Sequence, residues 1–362
     1  MDRKYRVRAL AVLVGLTLPA KAFAHGGEIH EGQSFWSLWH WSPEIIAALL
    51  LAAIVYGRGA MRGQQPSAWR IAAFAGGLVA LFLALVSPIE RLADHIFAVH
   101  QVEHMLLRTM GPMLIFLAGP QAVLMRGLPA GMKRRLAGPI MTNGGVRGFF
   151  SFLTTPVIAT SLFVGVSYFW MYPSWHDLAI LNEPIHYGWH TSLLITGLLF
   201  FSVMFDPRPV PAGAGLPTRL AMFVVAALGN IVLGAFLTFK TVPLYSAYEI
   251  SGHMWHVSTL TDEQTGGIIM WIPGCMMFAL SAIIILYRWG QDEERAVARR
   301  RRDGRALQSA RDGGNRIFAM SLAAFSVIIL MLAIAIVSLI DGGYAGASHF
   351  AHHADRHSGF NG

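Results

Sequence analysis

The sequence predicts an all-α, polytopic integral membrane helix bundle of about seven to eight transmembrane helices after an N-terminal signal peptide. Three observations carry that prediction. Of the 362 residues, 54% are apolar and only 13% charged, and the mean hydropathy of +0.50 lies far from a soluble globular profile. Long apolar stretches follow one another, separated by connections that hold most of the basic residues. The N-terminus has the three-part pattern of an export signal.

That signal comes first in chain order. Arg3, Lys4, Arg6 and Arg8 precede a short apolar run over residues 9–18, and Ala22-Phe23-Ala24 is an A-x-A cleavage pattern. The run is too short to span a bilayer, so residues 1–24 are expected to be removed, leaving residues 25–42 as a periplasmic arm. Apolar stretches of roughly membrane length then fall at residues 43–56, 68–86, 99–117, 155–171, 184–205, 218–239, 266–287 and 317–340. The first is short, and the third carries Glu103, His104 and Arg108.

Loop charge sets the orientation. With Gly26 outside, the odd-numbered connections carry Arg58, Arg62 and Arg70, then Arg126, Lys133, Arg134, Arg135 and Arg147, then Arg208 and Arg219, then the arginine-rich stretch 288–316. The opposite connections carry only Arg91 and Lys240. This follows the positive-inside rule and places both mature termini in the periplasm of a bacterial plasma (inner) membrane. The formal charge of +8 therefore reads as topology and lipid contact rather than nucleic-acid binding. The expected organisation is a bundle over 43–340 with a cytoplasmic arginine-rich loop at 288–316, and a histidine-rich periplasmic tail at 341–362. One cysteine, Cys275, excludes an intramolecular disulfide and a CxxC metal site.

The same topology puts every histidine at or near the outer face, with His104 one turn below it. His100 and His104 are four residues apart, as are His186 and His190. That spacing stacks two imidazoles on one helical face, about 6 Å apart along the axis. Imidazole is the commonest metal ligand and suits copper, zinc, iron and nickel. Polar side chains in membrane segments mark functional sites by default, although interhelical hydrogen bonding is the competing reading for either pair alone. Glu103 is placed to orient an imidazole or balance charge.

Further candidates surround these pairs. His25 and His30 would offer a metal an amine and two rings once the signal is removed. His349, His352, His353 and His357 could gather metal loosely, or simply be solvated. Met105, Met110 and Met113 accompany the third stretch, and Met270, Cys275, Met276 and Met277 the seventh. Thioethers favour Cu(I), yet methionine is also ordinary packing material. Arg108 is expected to pair internally with Glu103 or Asp94, or else to anchor an anionic group such as a haem propionate. Asp262 is expected to cap its own helix, with a carboxylate contribution to the site as the alternative.

Several stretches together resemble one family. His100-Gln101-Val102-Glu103-His104-Met105-Leu106-Leu107, continuing to Pro112 and Gly119-Pro120, is similar to the caa(3)-type cytochrome c oxidase assembly factors, the Bacillus-type CtaG proteins. Trp170 with Pro173, His186-x-x-x-His190, Leu237-Thr238-Phe239 with Pro243-Leu244-Tyr245 and Tyr248, and Asp262-x-Gln264 through Met270-Trp271-x-Pro273-Gly274 fit the same pattern, so the resemblance covers about residues 69–287. It implies a multi-pass plasma-membrane protein, not an enzyme, needed to assemble a haem-copper oxidase by handling copper. The implied partners are cytochrome c oxidase subunits and a periplasmic copper carrier, within the lipid bilayer. His176 stands where the family pattern has an aromatic, and His253, His256 and the terminal histidines are additional; these would enlarge a metal-handling surface.

The expected metal ligands are thus His100, His104, His186 and His190. Glu103, His176, His253, His256, Met270, Asp262, His25 and His30 are expected as supporting groups. Two other readings remain open at this level. One is a bis-histidine haem b protein of quinone-linked electron transfer, the other a copper uptake or resistance protein. No hydrolase triad, Walker loop or dinucleotide fingerprint is present.

Overall fold

The computed structural model describes residue 39 and residues 41–137, 142–250 and 257–302. The export signal, His25, His30, His253, His256, the terminal histidines and the eighth apolar stretch lie outside the described residues. The described residues are helical, with no strand among them. The chain divides into two units, Met1–Trp289 and Gly290–Gly362, and the site described below belongs to the first.

Helix α1 (Pro43–Ala60) begins with proline at its first position, Glu44 in its first turn and Arg58 in its last, an order that suits both the missing proline N–H and the helix dipole. Helix α2 (Ala68–Val86) keeps the bounds expected from sequence. It stops at Ser87-Pro88, where Ser87 accepts a hydrogen bond from Ile89 N–H and starts the short α3 (Pro88–Ala93). The third apolar stretch differs from expectation. It is α4 (Phe97–His104), a π-helical segment over Met105–Met110, and α5 (Gly111–Leu117). Pro112 has no N–H to give the carbonyl of Arg108, four residues earlier, and the wider π turn is the local response.

Gly119, at a φ of 63°, turns the chain into α6 (Gln121–Gly127), which runs back along α1. Helix α7 (Gly144–Leu153) is capped by Asn143 and bends by 65° into α8 (Pro156–Met171). There follow α9 (Pro173–Ile180), α10 (Glu183–Met204), α11 (Leu216–Phe239), α12 (Ala247–Ile250) and α13 (Thr259–Arg302). The last is continuous past residue 288, so the arginine-rich stretch begins as helix rather than loop.

Five of these helices are long and apolar enough to cross a membrane, or six if the bent pair counts as one span. The π-containing α4–α5 segment has the length of a further crossing, which accounts for the difference from the expected seven to eight together with the undescribed eighth stretch. Ile268, Ile272, Met276, Leu280, Ile283 and Tyr287 form an exposed apolar stripe along α13, as lipid contact requires. Helix α10 is central: 67% of its apolar window is buried, against 22% for α1.

Close helix contacts rest on small residues, which substitute for hydrophobic drive inside a membrane. A Cβ on Gly127 would lie 1.8 Å from the carbonyl oxygen of Val55, and one on Gly59 1.9 Å from that of Val123. Helices α1 and α6 therefore touch main chain to main chain. Gly127→Ala is expected to destabilise the protein by about 1–3 kcal/mol, read as a lowered thermal unfolding midpoint in detergent. Gly57, with open space at its Cβ, should tolerate alanine or gain up to about 1 kcal/mol. Equal effects at the two positions would contradict the close contact.

Candidate metal centre

Helix α4 carries the first histidine pair, and its sequence does not cap it. The residue before it, Ile96, has no side-chain acceptor, so the first amides need an outside partner. Asp262 supplies one from α13: its carboxylate accepts from Phe97 N–H at 2.7 Å and Ala98 N–H at 2.9 Å. The expectation that Asp262 caps its own helix is corrected, because Ser258 does that by accepting from Thr261 N–H at 3.2 Å. Next to it, buried Glu263 pairs with Lys240 and accepts from the amides of Leu244 and Tyr245. Asp177 of α9 accepts from the amides of Ser246 and Ala247. These carboxylates fix the connection that delivers Tyr245 and Tyr248.

The second pair rides on α10, which Asn182 caps by accepting from Ile185 N–H. Further along, Gly197 lets α10 approach the π segment; a Cβ there would lie 2.1 Å from the carbonyl oxygen of Arg108. The two pairs are thereby brought together. Ring centroids are 4.1 Å apart for His100 and His104, 4.4 Å for His186 and His190, and 5.3 Å for His104 and His190. One nitrogen from each of His100, His104 and His190 falls within 4.8 Å of the others. His186 stands just outside that trio, 5.3 Å from His100 between ring centres.

The hydrogen-bond partners assign the tautomers of this cluster. Nδ1 of His176 lies 3.2 Å from the carbonyl oxygen of Trp170 and so carries the proton. Its Nε2 then accepts from the Tyr248 hydroxyl at 3.0 Å. The Tyr248 oxygen in turn accepts from Nδ1–H of His100 at 2.7 Å. Nε2 of His100 is left with its lone pair, 3.4 Å from Nε2 of His190. On the other side, Nδ1 of His190 lies 3.4 Å from the buried carboxylate of Glu103, and Nδ1 of His186 lies 3.5 Å from Asp94. The Nε2 atoms of His100 and His190 thus face each other, and among the described residues Nε2 of both His104 and His186 is buried without a hydrogen-bond partner, as are both oxygens of Glu103.

Burial sustains this pattern. It lowers the His176 pKa to about 3, against a smaller opposing effect of the Trp170 carbonyl, so that ring stays neutral. It also pushes the Tyr248 phenol well above its ordinary range, with Tyr245 and nearby carboxylates adding to the effect, which preserves its O–H. His176 stacks on Tyr245 with ring centres 3.9 Å apart. It therefore supports the cluster through Tyr248 instead of joining the facing nitrogens.

Other expectations resolve as follows. Glu103 is fully buried with its carboxylate 3.4 Å from Nδ1 of His190, and among the described residues neither of its oxygens has a hydrogen-bond partner. Arg108 makes neither expected ion pair: among the described residues no carboxylate lies within ion-pair distance of it. Its guanidinium sits 3.8 Å above the Phe163 ring and donates to the Phe163 carbonyl. The reason is partly spacing, since five residues separate Arg108 from Glu103 and such a pair does not share an α-helical face, and partly that Phe163 of α8 offers the guanidinium a ring and a carbonyl. Met270 lines a small cavity with His104 and Arg108, and half-buried Cys275 packs beside Ala227. Sequence reasoning missed the bridging role of Tyr248 and the central place of Trp189, whose ring lies 4.8 Å from His100 and 4.6 Å from His104.

Two outcomes follow from this geometry. Tyr248→Phe leaves two buried imidazole nitrogens unpaired, and thermal unfolding should show a loss of about 1–3 kcal/mol; an unchanged midpoint would rule out the bridge. Glu90, in α3, has its pKa raised to about 8, first by burial and then by Asp94 and Glu183, against Arg91. The folded protein therefore holds this proton more tightly than the unfolded chain. The resulting stability is complete below the ordinary carboxylate range and is lost as pH rises through about 8. The unfolding midpoint of metal-free protein should fall over that interval, and Glu90→Gln should flatten the slope.

The chain is similar to three mycobacterial proteins. It is 24% identical over 272 residues to the "Uncharacterized protein ML1998" of Mycobacterium leprae, covering 73% of this chain and 41% of that protein. It is also 24% identical over 275 residues to the "Uncharacterized protein Mb0105" of Mycobacterium bovis and the "Uncharacterized protein MT0111" of Mycobacterium tuberculosis, with the same coverage. The chain thus spans about two-fifths of the length of these relatives. No solved structure matches it. The pattern of one family matches residues 51–292, a segment that contains α2 through α12 and every histidine of the cluster. The chain belongs to the cytochrome c oxidase caa3 assembly factor family (Caa3_CtaG).

Proposed function

We propose that His100, His104 and His190, with His186 as the exchange ligand, hold a copper ion that the protein passes to a haem-copper cytochrome c oxidase during its assembly. The observation that carries this reading is the 3.4 Å between the facing Nε2 atoms of His100 and His190. Two imidazoles bound at about 2.0–2.1 Å in tetrahedral geometry stand about 3.3–3.4 Å apart. The opposite nitrogen of His100 is held by the Tyr248 hydroxyl, and that of His190 lies 3.4 Å from the Glu103 carboxylate, the kind of neighbours metal-bound histidines generally have. Three neutral rings with one buried carboxylate, Glu103, balance a single positive charge, which favours Cu(I).

Exposure suggests the route. His186 and Asp94 are 15% and 32% exposed, whereas Glu103 is fully buried. His186 is therefore the ligand through which metal arrives and leaves. In the orientation that loop charge favours, this end of the bundle faces the periplasm across the bacterial plasma membrane. There a copper carrier and the oxidase subunits would be the partners. The family is one of assembly factors, and the role is delivery rather than catalysis.

The rival haem reading fits the packing less well. A macrocycle between His100 and His190 would have to occupy the space held by His104 and Trp189, whose ring centres are only 4.6 Å apart.

Elemental analysis of the full-length protein purified in detergent tests the proposal. Copper should be bound by the wild type and lost in both His100→Ala and His190→Ala, while Glu103→Gln should weaken it about 10–100-fold and leave helicity intact. A Soret band, or wild-type protein that takes up no copper when supplied with it, would overturn the reading.

A further inference from the structure

Below the histidine cluster lies a small cavity, large enough for at least one water molecule. Gln101, Arg108 and Trp189 line it, and each has a buried side-chain N–H group without an acceptor: Nε2 of Gln101, Nε of Arg108 and Nε1 of Trp189. These residues are 2%, 8% and 0% exposed. Among the described residues no carboxylate lines the cavity. Leaving one such group unsatisfied costs about 1–3 kcal/mol, and three around one space is a concentration that calls for an acceptor.

Charge sharpens the point. The Arg108 guanidinium is buried within the bundle, and among the described residues its partners are the Phe163 ring and carbonyl. An isolated buried cation carries a desolvation penalty of several kcal/mol. Glu103 and Asp94 do not relieve it, because they face His190 and His186. Water could fill the volume, but three donors and a positive charge select an acceptor that brings negative charge.

We infer that this cavity is a binding site for a small monovalent inorganic anion of chloride size, held by the Arg108 guanidinium, the Gln101 amide and the Trp189 indole N–H. The anion neutralises Arg108 and satisfies the three donors. His104 belongs both to this wall and to the facing histidines, so the anion sits beside the metal centre without being one of its protein ligands. A single guanidinium balances one negative charge, which favours chloride or bromide over a dianion such as sulfate. The site stands on its own geometry and holds whether or not the histidines bind copper.

The test is equilibrium binding of radioactive chloride to the full-length protein in detergent, without added copper. The wild type should bind chloride saturably, with competition by bromide and none by sulfate. Arg108→Met should weaken binding roughly tenfold or more, the equivalent of one charge-assisted hydrogen bond. Gln101→Leu should weaken it by a smaller factor, and it decides the matter if Arg108→Met fails to fold. Absence of saturable chloride binding to the wild type would overturn the inference, as would sulfate competing equally well. So would wild-type affinity in either folded variant.

Discussion

The carboxylate of Asp262, bonded to the amides of Phe97 and Ala98, is the contact on which the geometry of the centre depends. Helix α4 has only eight residues and no capping side chain of its own, so alone it would be too short to persist. Asp262 both satisfies the orphan amides and places a negative charge at the positive end of the helix dipole. The same segment of α13 holds Glu263, which organises the connection leading to Tyr248. One end of α13 thereby sets His100 from two directions, through the helix that bears it and through the hydroxyl that fixes its tautomer.

The second determinant is the π segment at Met105–Met110. Pro112 disrupts the hydrogen bonding of that turn, and Gly197 admits α10 against the Arg108 carbonyl. The guanidinium lies against Phe163 of α8 while its residue shares a cavity wall with His104. The place of this cation is thus set jointly by a proline, a glycine and an aromatic ring from three different segments.

This explains what was legible in the sequence and what was not. Helix α2 kept its expected bounds, and both histidine pairs lie on helix faces as their spacing requires, because hydropathy and i, i+4 periodicity are local. The joining of the pairs was less direct, inferred only from their shared depth. The partner of each histidine was not legible at all: Tyr248 is 148 residues from His100, and Asp262 is 165 from Phe97. Arg108 was misassigned because its partner, Phe163, is 55 residues away on another helix. His176 was recognised as unusual, yet its contribution through Tyr248 is a tertiary property that no spacing encodes.

A bundle interior of low dielectric makes each unpaired charge costly and each pairing strong. Glu103 is a buried carboxylate beside His190, and Arg108 is a buried cation that shares a cavity wall with His104. Direct pairing of the two would cancel both charges and leave neutral imidazoles with no reason to retain a cation. Keeping them apart preserves a negative group next to the histidines and a positive group next to the donor-lined cavity. The proposed metal ion and the proposed small anion, each on its own side of His104, would neutralise the pair from within.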